Sequence, residues 1–145
     1  MAKTYRMNAG TRVINRVFHT MTRLGVGKGY RYNLTVRGRK TGRSYSTPVD
    51  VMSDGDERWL VAAYGVSDWV RNARAAGQVG LGRGGRSRTY KVVELGPEES
   101  VPVLRQYLRE VPVTRAYFDV TGESSDEEFA AEAARHPVFR LESLT

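Results

Sequence analysis

The chain has no cysteine and only two histidines among its 145 residues, His19 and His136. Disulfides, thiolate metal sites and cysteine nucleophiles are therefore excluded, and a multi-histidine metal site is disfavoured. We predict no metal site. If the protein is an enzyme, its difficult chemistry is expected to belong to a bound cofactor.

Long apolar runs are also missing from the sequence. No stretch approaches the roughly 20 apolar residues that span a bilayer, and the first residues lack the apolar segment of a signal peptide. The sequence predicts a cytoplasmic protein with a single domain over residues 1–145, in which residues 1–10 form a loose N-terminal arm.

Positively charged residues outnumber negatively charged ones, 23 to 16. The net charge is +7 and the isoelectric point is about 10.0. This balance favours an anionic partner, which is a nucleic acid, an acidic lipid surface or a multiply charged small molecule.

The most informative stretch is a β-hairpin with a basic tip. β-prone residues at Tyr32–Val36 and Tyr45–Val51 flank the segment GRKTGR (residues 38–43), and four cations lie between Arg37 and Arg43. Glycines allow tight turns and close approach of N–H groups, and Arg and Lys side chains are strong donors to phosphate or carboxylate. The tip is therefore a candidate anion site, and a merely solvated basic turn is the alternative.

Further strands follow the hairpin. The pattern predicts strands at Arg31–Arg37, Ser44–Met52, Arg58–Ala63, Gln78–Gly82, Ser87–Leu95 and Val138–Leu141. Pro48 cannot donate a ladder hydrogen bond, so it predicts an edge or a bulge in the second strand.

Helical patterns lie between and around these strands. An amphipathic basic helix is predicted over Val13–Leu24, a capped helix over Trp69–Ala76, and three helical pieces beginning near Glu98, Val113 and Asp126. The first of these also suits peripheral contact with the inner face of an anionic membrane. Together the elements predict an α+β fold, a small barrel of about six mostly antiparallel strands with helices at both ends of the chain.

These residues carry a family resemblance. The run GRKTGRSYSTPV, then a turn, WLVAA, a glycine-containing loop and a W-x-x-N-x-R-A-A helix resembles the deazaflavin-dependent nitroreductase family of actinobacteria, and the closing HPVFRL is similar to that family's last strand. The resemblance covers residues 12–96 well and the remainder loosely. It implies a split β-barrel that binds coenzyme F-420, an 8-hydroxy-5-deazaflavin with a phosphate and an acidic oligoglutamate tail. FMN is the less favoured cofactor.

The implied activity is hydride transfer from the reduced cofactor to an activated double bond, a quinone or a nitro compound. Position by position, the resemblance assigns the tip to the phosphate and tail, the second and third strands to the ring, and the Trp69 helix to the back of the site. The implied cofactor-binding residues are Gly38, Arg39, Lys40, Thr41, Gly42, Arg43, Tyr45, Thr47, Pro48, Val49, Ala62, Ala63, Trp69 and Asn72.

Two departures from the family pattern keep a second function open. Family members typically have an arginine at the position of Tyr45 and a longer loop where this chain has residues 64–68. A non-catalytic fatty-acid or lipid-binding protein is therefore the alternative to the reductase.

The substrate side is expected to be small, hydrophobic or aromatic. Tyr64, Tyr107 and Tyr117 are the candidate catalytic residues, as hydrogen-bond donors to a substrate oxygen. A nucleic-acid surface formed by residues 37–43 and 83–91 is disfavoured, because no recognition helix or stacking motif accompanies the cations. The sequence leaves monomer and homodimer open.

Overall fold

The computed structural model describes residues 29–144, so the predicted helix over Val13–Leu24 lies outside the described residues. Six strands are present: β1 Arg31–Arg37, β2 Ser44–Asp54, β3 Glu57–Val61, β4 Gln78–Arg83, β5 Arg86–Glu94 and β6 Val138–Ser143. The helices are α1 Asp68–Ala76, α2 Pro97–Glu110, a 3-10 helix Pro112–Tyr117 and α3 Asp126–Glu132.

The strands close into an antiparallel barrel in the order β1-β2-β3-β6-β5-β4. The predicted α+β barrel is confirmed. The β4–β5 turn shows why the sequence folds this way locally: Gly84 and Gly85 both have positive φ, 60° and 79°. A two-residue turn of this kind matches the twist of the strands that it joins.

Two apolar clusters stabilise the barrel, one inside it and one against the outside of its wall. The interior cluster takes alternate residues of all six strands together with Val70 and Ala73 of α1, so α1 covers one end of the barrel. We call this the upper end; β1 finishes there at Arg37. The opposite, lower end holds the start of β1 and the Gly84–Gly85 turn.

The outer cluster lies between the barrel wall and α2, the 3-10 helix and α3. Its largest fully buried side chains are Tyr107 and Phe129. Because the apolar face of α2 repeats at Val101, Leu104 and Leu108, this helix lies flat on the wall, as the helical period predicts.

Most predicted boundaries differ from the structure by one to three residues, and three of these differences lie near the site. The piece expected over Val113–Val120 is the 3-10 helix Pro112–Tyr117, and β3 stops at Val61 instead of Ala63. The last helix ends at Glu132 instead of Arg135, because Glu132 O accepts from the amides of both Arg135 and His136 and the chain turns there into β6.

Candidate functional site

The hairpin tip is closed by its own backbone. Gly38 N donates to Arg43 O over 2.7 Å, and Gly42 N donates to Gly38 O over 3.0 Å. The Thr41 hydroxyl accepts from Arg43 N at 3.2 Å and lies 3.0 Å from the Tyr45 hydroxyl. These bonds give the tip a defined shape although residues 39–43 are exposed.

Tyr45 has a structural role in this tip. A Cβ at position 38 would come within 2.4 Å of a Tyr45 ring carbon, so the ring lies directly over Gly38. Tyr45 therefore braces the turn at the position where the resembled family typically has an arginine.

The tip is also tied to α1. Asn72, a buried residue, accepts two hydrogen bonds at Oδ1: one from Arg39 N at 3.0 Å and one from Arg39 Nη1 at 2.7 Å. Arg39 Nη2 also lies 3.5 Å from an Asp68 carboxylate oxygen. Two residues predicted to contact the cofactor, Arg39 and Asn72, thus hold the tip against the upper end of the barrel.

The remaining cations of the hairpin are not neutralised. Arg37, Lys40 and Arg43 are exposed, and their side chains form no ion pair or hydrogen bond with any residue from 29 to 144. Since a dianion can approach these groups from solvent, the donor set fits a phosphate or a carboxylate tail.

Next to the tip, the barrel wall is split. Pairing between β2 and β3 begins only at Asp50 and Val61, so residues 44–49 of β2 pair with β1 alone. Beyond Val61 the chain turns to β6, where Ala62 N donates to Pro137 O at 2.9 Å. This opening between β2 and the segment 62–67 gives the split that the family resemblance implied.

Pro48 lies in this unpaired half of β2. Val51 N donates to Tyr30 O, so the amides of alternate residues 49 and 47 face β1 and position 48 faces away from it. β2 is an internal strand of the closed barrel, but at position 48 it pairs with β1 alone, so the edge predicted from Pro48 is present locally. Proline is tolerated because its backbone nitrogen points away from β1, toward the side on which no strand pairs with this part of β2.

Around the split, the predicted ring-side residues separate onto two faces. Leu34 pairs with Thr47 and Tyr32 with Val49, so Thr47 and Val49 lie on the face of the barrel interior. Ala62 belongs to the interior cluster and Ala63 to the outer one. Trp69 is half-buried, with its ring 6.0 Å from that of Phe139, and packs against the interior cluster from α1.

Tyr64 and Tyr117 come together at the end of β3. Their rings make an edge-to-face contact with centroids 5.0 Å apart, and Tyr64 is half exposed. These two of the three predicted catalytic tyrosines therefore form one aromatic pair, in which Tyr64 is exposed and Tyr117 is partly buried.

Tyr107, the third, is placed differently. It is fully buried in α2, and its hydroxyl donates to Asp50 Oδ2 over 2.6 Å. Burial, and then the Asp50 carboxylate, raise the pKa of Tyr107 well above its ordinary value. A neutral, enclosed hydroxyl bonded to a carboxylate does not face a substrate. Tyr107 instead joins α2 to β2.

The sequence reasoning missed three buried polar residues behind the site. Asp50 bonds Arg31 Nε at 2.9 Å as well as Tyr107. His136 has each ring nitrogen 2.9 Å from a backbone carbonyl, Nδ1 from that of Ala62 and Nε2 from that of Tyr117. Two features of the sequence could have pointed to these residues: Asp50 is a single acid inside the apolar run PVDVM, and His136 directly precedes a proline.

Glu132 completes this buried network. It is 1 % exposed, pairs with Arg135 Nη2 at 2.5 Å, and lies 3.3 Å from His136 Nε2. The network joins α3 to two backbone segments, one at Ala62 close to Tyr64 and one at Tyr117.

Other site types find no support in the part of the chain that the structure describes. Residues 29–144 contain no cluster of three or more potential metal ligands and no helix long and apolar enough to cross a membrane. Arg83, Arg86 and Arg88 lie toward the lower end of the barrel, away from residues 37–43, and Lys91 lies at the upper end on the other face of β5. The two groups of cations therefore form no continuous stripe for a nucleic acid.

Comparison with known proteins agrees with this geometry. A family model described as F420H(2)-dependent quinone reductase matches residues 8–124. No curated protein matches the chain by sequence.

Solved structures show the same fold at low sequence identity. An F420-H2 dependent reductase (FDR-A) is 20 % identical with a TM-score of 0.55, and the match covers 79 % of this chain and 95 % of that one. A structure described as a domain-swapped dimer is 19 % identical, with a TM-score of 0.58 and coverages of 88 % and 92 %. A pyridoxamine 5'-phosphate oxidase candidate from Listeria innocua is 10 % identical, with a TM-score of 0.56 and coverages of 80 % and 85 %.

Proposed function

Since the chain belongs to the F420H(2)-dependent quinone reductase family, we propose that it transfers a hydride from reduced coenzyme F-420 to a quinone, with activated double bonds and nitro compounds as further acceptors. The family makes it an oxidoreductase that uses coenzyme F-420. The acceptor and the residues of the site are the proposal.

One observation carries the site assignment. Three cations without a partner among residues 29–144, Arg37, Lys40 and Arg43, stand at a tip that is hydrogen-bonded to itself and to Asn72 beside the split in the barrel wall. An anionic tail bound there is adjacent to the opening between β2 and segment 62–67.

Each predicted residue then has a physical role. Lys40 and Arg43 bind phosphate or carboxylate oxygens, while Arg39 and Asn72 position the tip through their mutual hydrogen bonds. The ring is proposed to lie against the split, between the stretch of β2 that holds Thr47, Pro48 and Val49 and the segment that holds Ala62 and Ala63; residues of both stretches alternate between the two faces of the wall. The bound cofactor supplies the hydride, and the protein orients it and excludes water.

The aromatic pair Tyr64 and Tyr117 is proposed to face the acceptor. A hydroxyl there donates a hydrogen bond to a quinone oxygen as negative charge develops on it. Hydride and one proton together convert the quinone to its hydroquinone, and the proton is supplied by this hydroxyl or by water.

Turnover with a soluble quinone tests the reaction class. We expect the purified protein to accelerate oxidation of reduced coenzyme F-420 by menadione at least about a hundredfold over the uncatalysed reaction, because orientation alone contributes several kcal/mol. The return of the oxidised deazaflavin's absorbance is followed. Reduced FMN in place of the deazaflavin is the control, and equal rates with both would contradict the cofactor assignment. A protein that binds coenzyme F-420 but reduces neither quinone, nitro compound nor enone contradicts the acceptor assignment.

Charge reversal at the tip tests the site. Lys40→Glu is expected to weaken binding of coenzyme F-420 at least about tenfold, because an attractive contact of about 1.5 kcal/mol or more becomes repulsive. Fluorescence titration at fixed ionic strength measures the change. The matched control is Arg109→Glu, which reverses an exposed cation on α2 away from the tip. Equal affinities of the two variants would remove Lys40 from the site.

For assembly, the sequence leaves monomer and homodimer open. The structural similarity to a chain described as a domain-swapped dimer supports the homodimer.

A further inference from the structure

A second group of cations surrounds the lower end of the barrel. We call Arg58, Arg83, Arg86 and Arg88 the lower arginine cluster. Arg83 and Arg86 are direct cross-strand partners next to the Gly84–Gly85 turn, and Arg88 pairs with Leu81. Arg58 reaches the same place from β3, where its Nη1 donates to the Tyr90 hydroxyl at 3.3 Å.

All four arginines follow the face that lines the barrel interior. Side chains alternate along a strand, so residues 86 and 88 of β5 share the face of Tyr90, which is part of the interior cluster. Leu81 of β4, the cross-strand partner of Arg88, also belongs to the interior cluster. The lower arginine cluster therefore continues the interior face of the barrel beyond the apolar core.

No carboxylate neutralises this face in the described chain. Arg58, Arg86 and Arg88 form no ion pair with any residue from 29 to 144. Asp54 and Glu57 are cross-strand partners of each other, one residue away from the Ser53–Arg58 pair, so they alternate onto the outer face of the wall. Like charges placed opposite each other in a sheet destabilise it, so this arrangement favours an external anion.

Part of the cluster is already held in place. The Arg83 guanidinium lies over the Tyr32 ring, 5.9 Å from its centroid, and donates to Arg31 O. Arg58 is held by Tyr90. Arg86 and Arg88 are exposed and free to complete the contacts to a ligand. Two positioned guanidinium groups and two exposed ones suit an anion with several oxygen acceptors.

We propose that the lower arginine cluster binds a phosphate-bearing anion with at least two negative charges. This site is separate from the cofactor tip, because the seven residues of β1 separate Arg31 from Arg37 by roughly 20 Å at about 3.3 Å per residue. The ligand is a soluble phosphate ester or a phospholipid headgroup, and the experiment below distinguishes the two. The inference does not depend on the proposed reductase activity.

NMR of the full chain tests this assignment residue by residue, which matters because the tip is cationic too. On titration with inorganic pyrophosphate, the Nε–Hε signals of Arg58, Arg86 and Arg88 are expected to shift and to saturate. In Arg86→Gln/Arg88→Gln, the dissociation constant read at Arg58 is expected to rise at least about tenfold. Shifts confined to Arg37, Lys40 and Arg43 would overturn the proposal.

The matched control is Lys91→Gln/Arg109→Gln, which removes the same charge from exposed positions outside the cluster. Its dissociation constant is expected to stay within about twofold of the parent. Equal weakening in both double variants would reduce the effect to net charge and overturn the proposal.

Sedimentation with lipid vesicles distinguishes a phospholipid headgroup from a soluble phosphate ester. Sedimentation with phosphatidic acid but not phosphatidylcholine vesicles, lost in Arg86→Gln/Arg88→Gln, supports a headgroup site, since phosphatidic acid presents a phosphomonoester that can carry two negative charges. Pyrophosphate binding without vesicle binding supports a soluble phosphate ester. Binding to neither overturns the proposal.

Discussion

Asp50→Ala is expected to lower the free energy of unfolding by about 3 to 4 kcal/mol. The carboxylate accepts from Tyr107 Oη at 2.6 Å and from Arg31 Nε at 2.9 Å, and it is nearly buried. Removing one partner of a buried charged network leaves donors desolvated without their acceptor, which costs more than the net value of the bonds. Urea unfolding followed by circular dichroism measures the change.

Tyr107→Phe supplies the internal comparison. It removes one hydroxyl and keeps the packing, so a loss of only about 1 kcal/mol is expected. In the double variant the two losses should not add, because both substitutions remove the same bond. Additive losses would show that Asp50 and Tyr107 stabilise the fold independently and would contradict the coupling of α2 to the barrel wall.

His136→Ala is expected to cost about 3 kcal/mol and to reduce turnover as well. The ring stacks on Phe118 with centroids 3.8 Å apart, and its nitrogens meet the carbonyls of Ala62 and Tyr117. The substitution therefore leaves a cavity beside Phe118 and releases both backbone segments that carry the aromatic pair. Urea unfolding and quinone turnover measure the two effects.

A pH profile separates the positioning role of His136 from simple packing. Burial lowers the pKa of His136 from its ordinary value of 6.5, although the two carbonyls and Glu132 act in the opposite direction. Because the unfolded chain then binds a proton more readily than the folded one, the contribution of His136 to stability is complete above about pH 6.5 and is lost as the pH falls through the folded pKa. His136→Gln should remove this dependence. An unchanged pH profile in that variant would contradict the assignment.

The strand pattern was readable from local sequence because each strand carries its own signal. Alternation in β1 and β2, the Gly84–Gly85 turn and the helical period of α2 involve residues close to one another in the chain. The end of α3 was misjudged for a different reason. Residues 133–135 have good helix propensity, but the buried contacts of His136 require the chain to turn before them.

The cofactor tip could also be recognised from local sequence, but the contacts of its individual side chains could not. Glycines and cations within six residues indicate an anion site, yet nothing in that stretch shows that Arg39 binds Asn72 while Lys40 and Arg43 remain available. Likewise three tyrosines were equivalent candidates until the fold enclosed Tyr107 and left Tyr64 and Tyr117 together at the surface.

The sequence by itself determined the strands, the basic tip and the excess of positive charge, since these depend on neighbouring residues and on composition. Only the tertiary structure decided which polar groups meet: Arg39 with Asn72, Asp50 with Tyr107, and His136 with Ala62, which are 33, 57 and 74 positions apart. The reason is topological. Arg39 meets Asn72 where α1 covers the upper end, Tyr107 meets Asp50 where α2 packs on the wall, and His136 meets Ala62 where β6 begins beside β3. No local pattern specifies these long-range contacts.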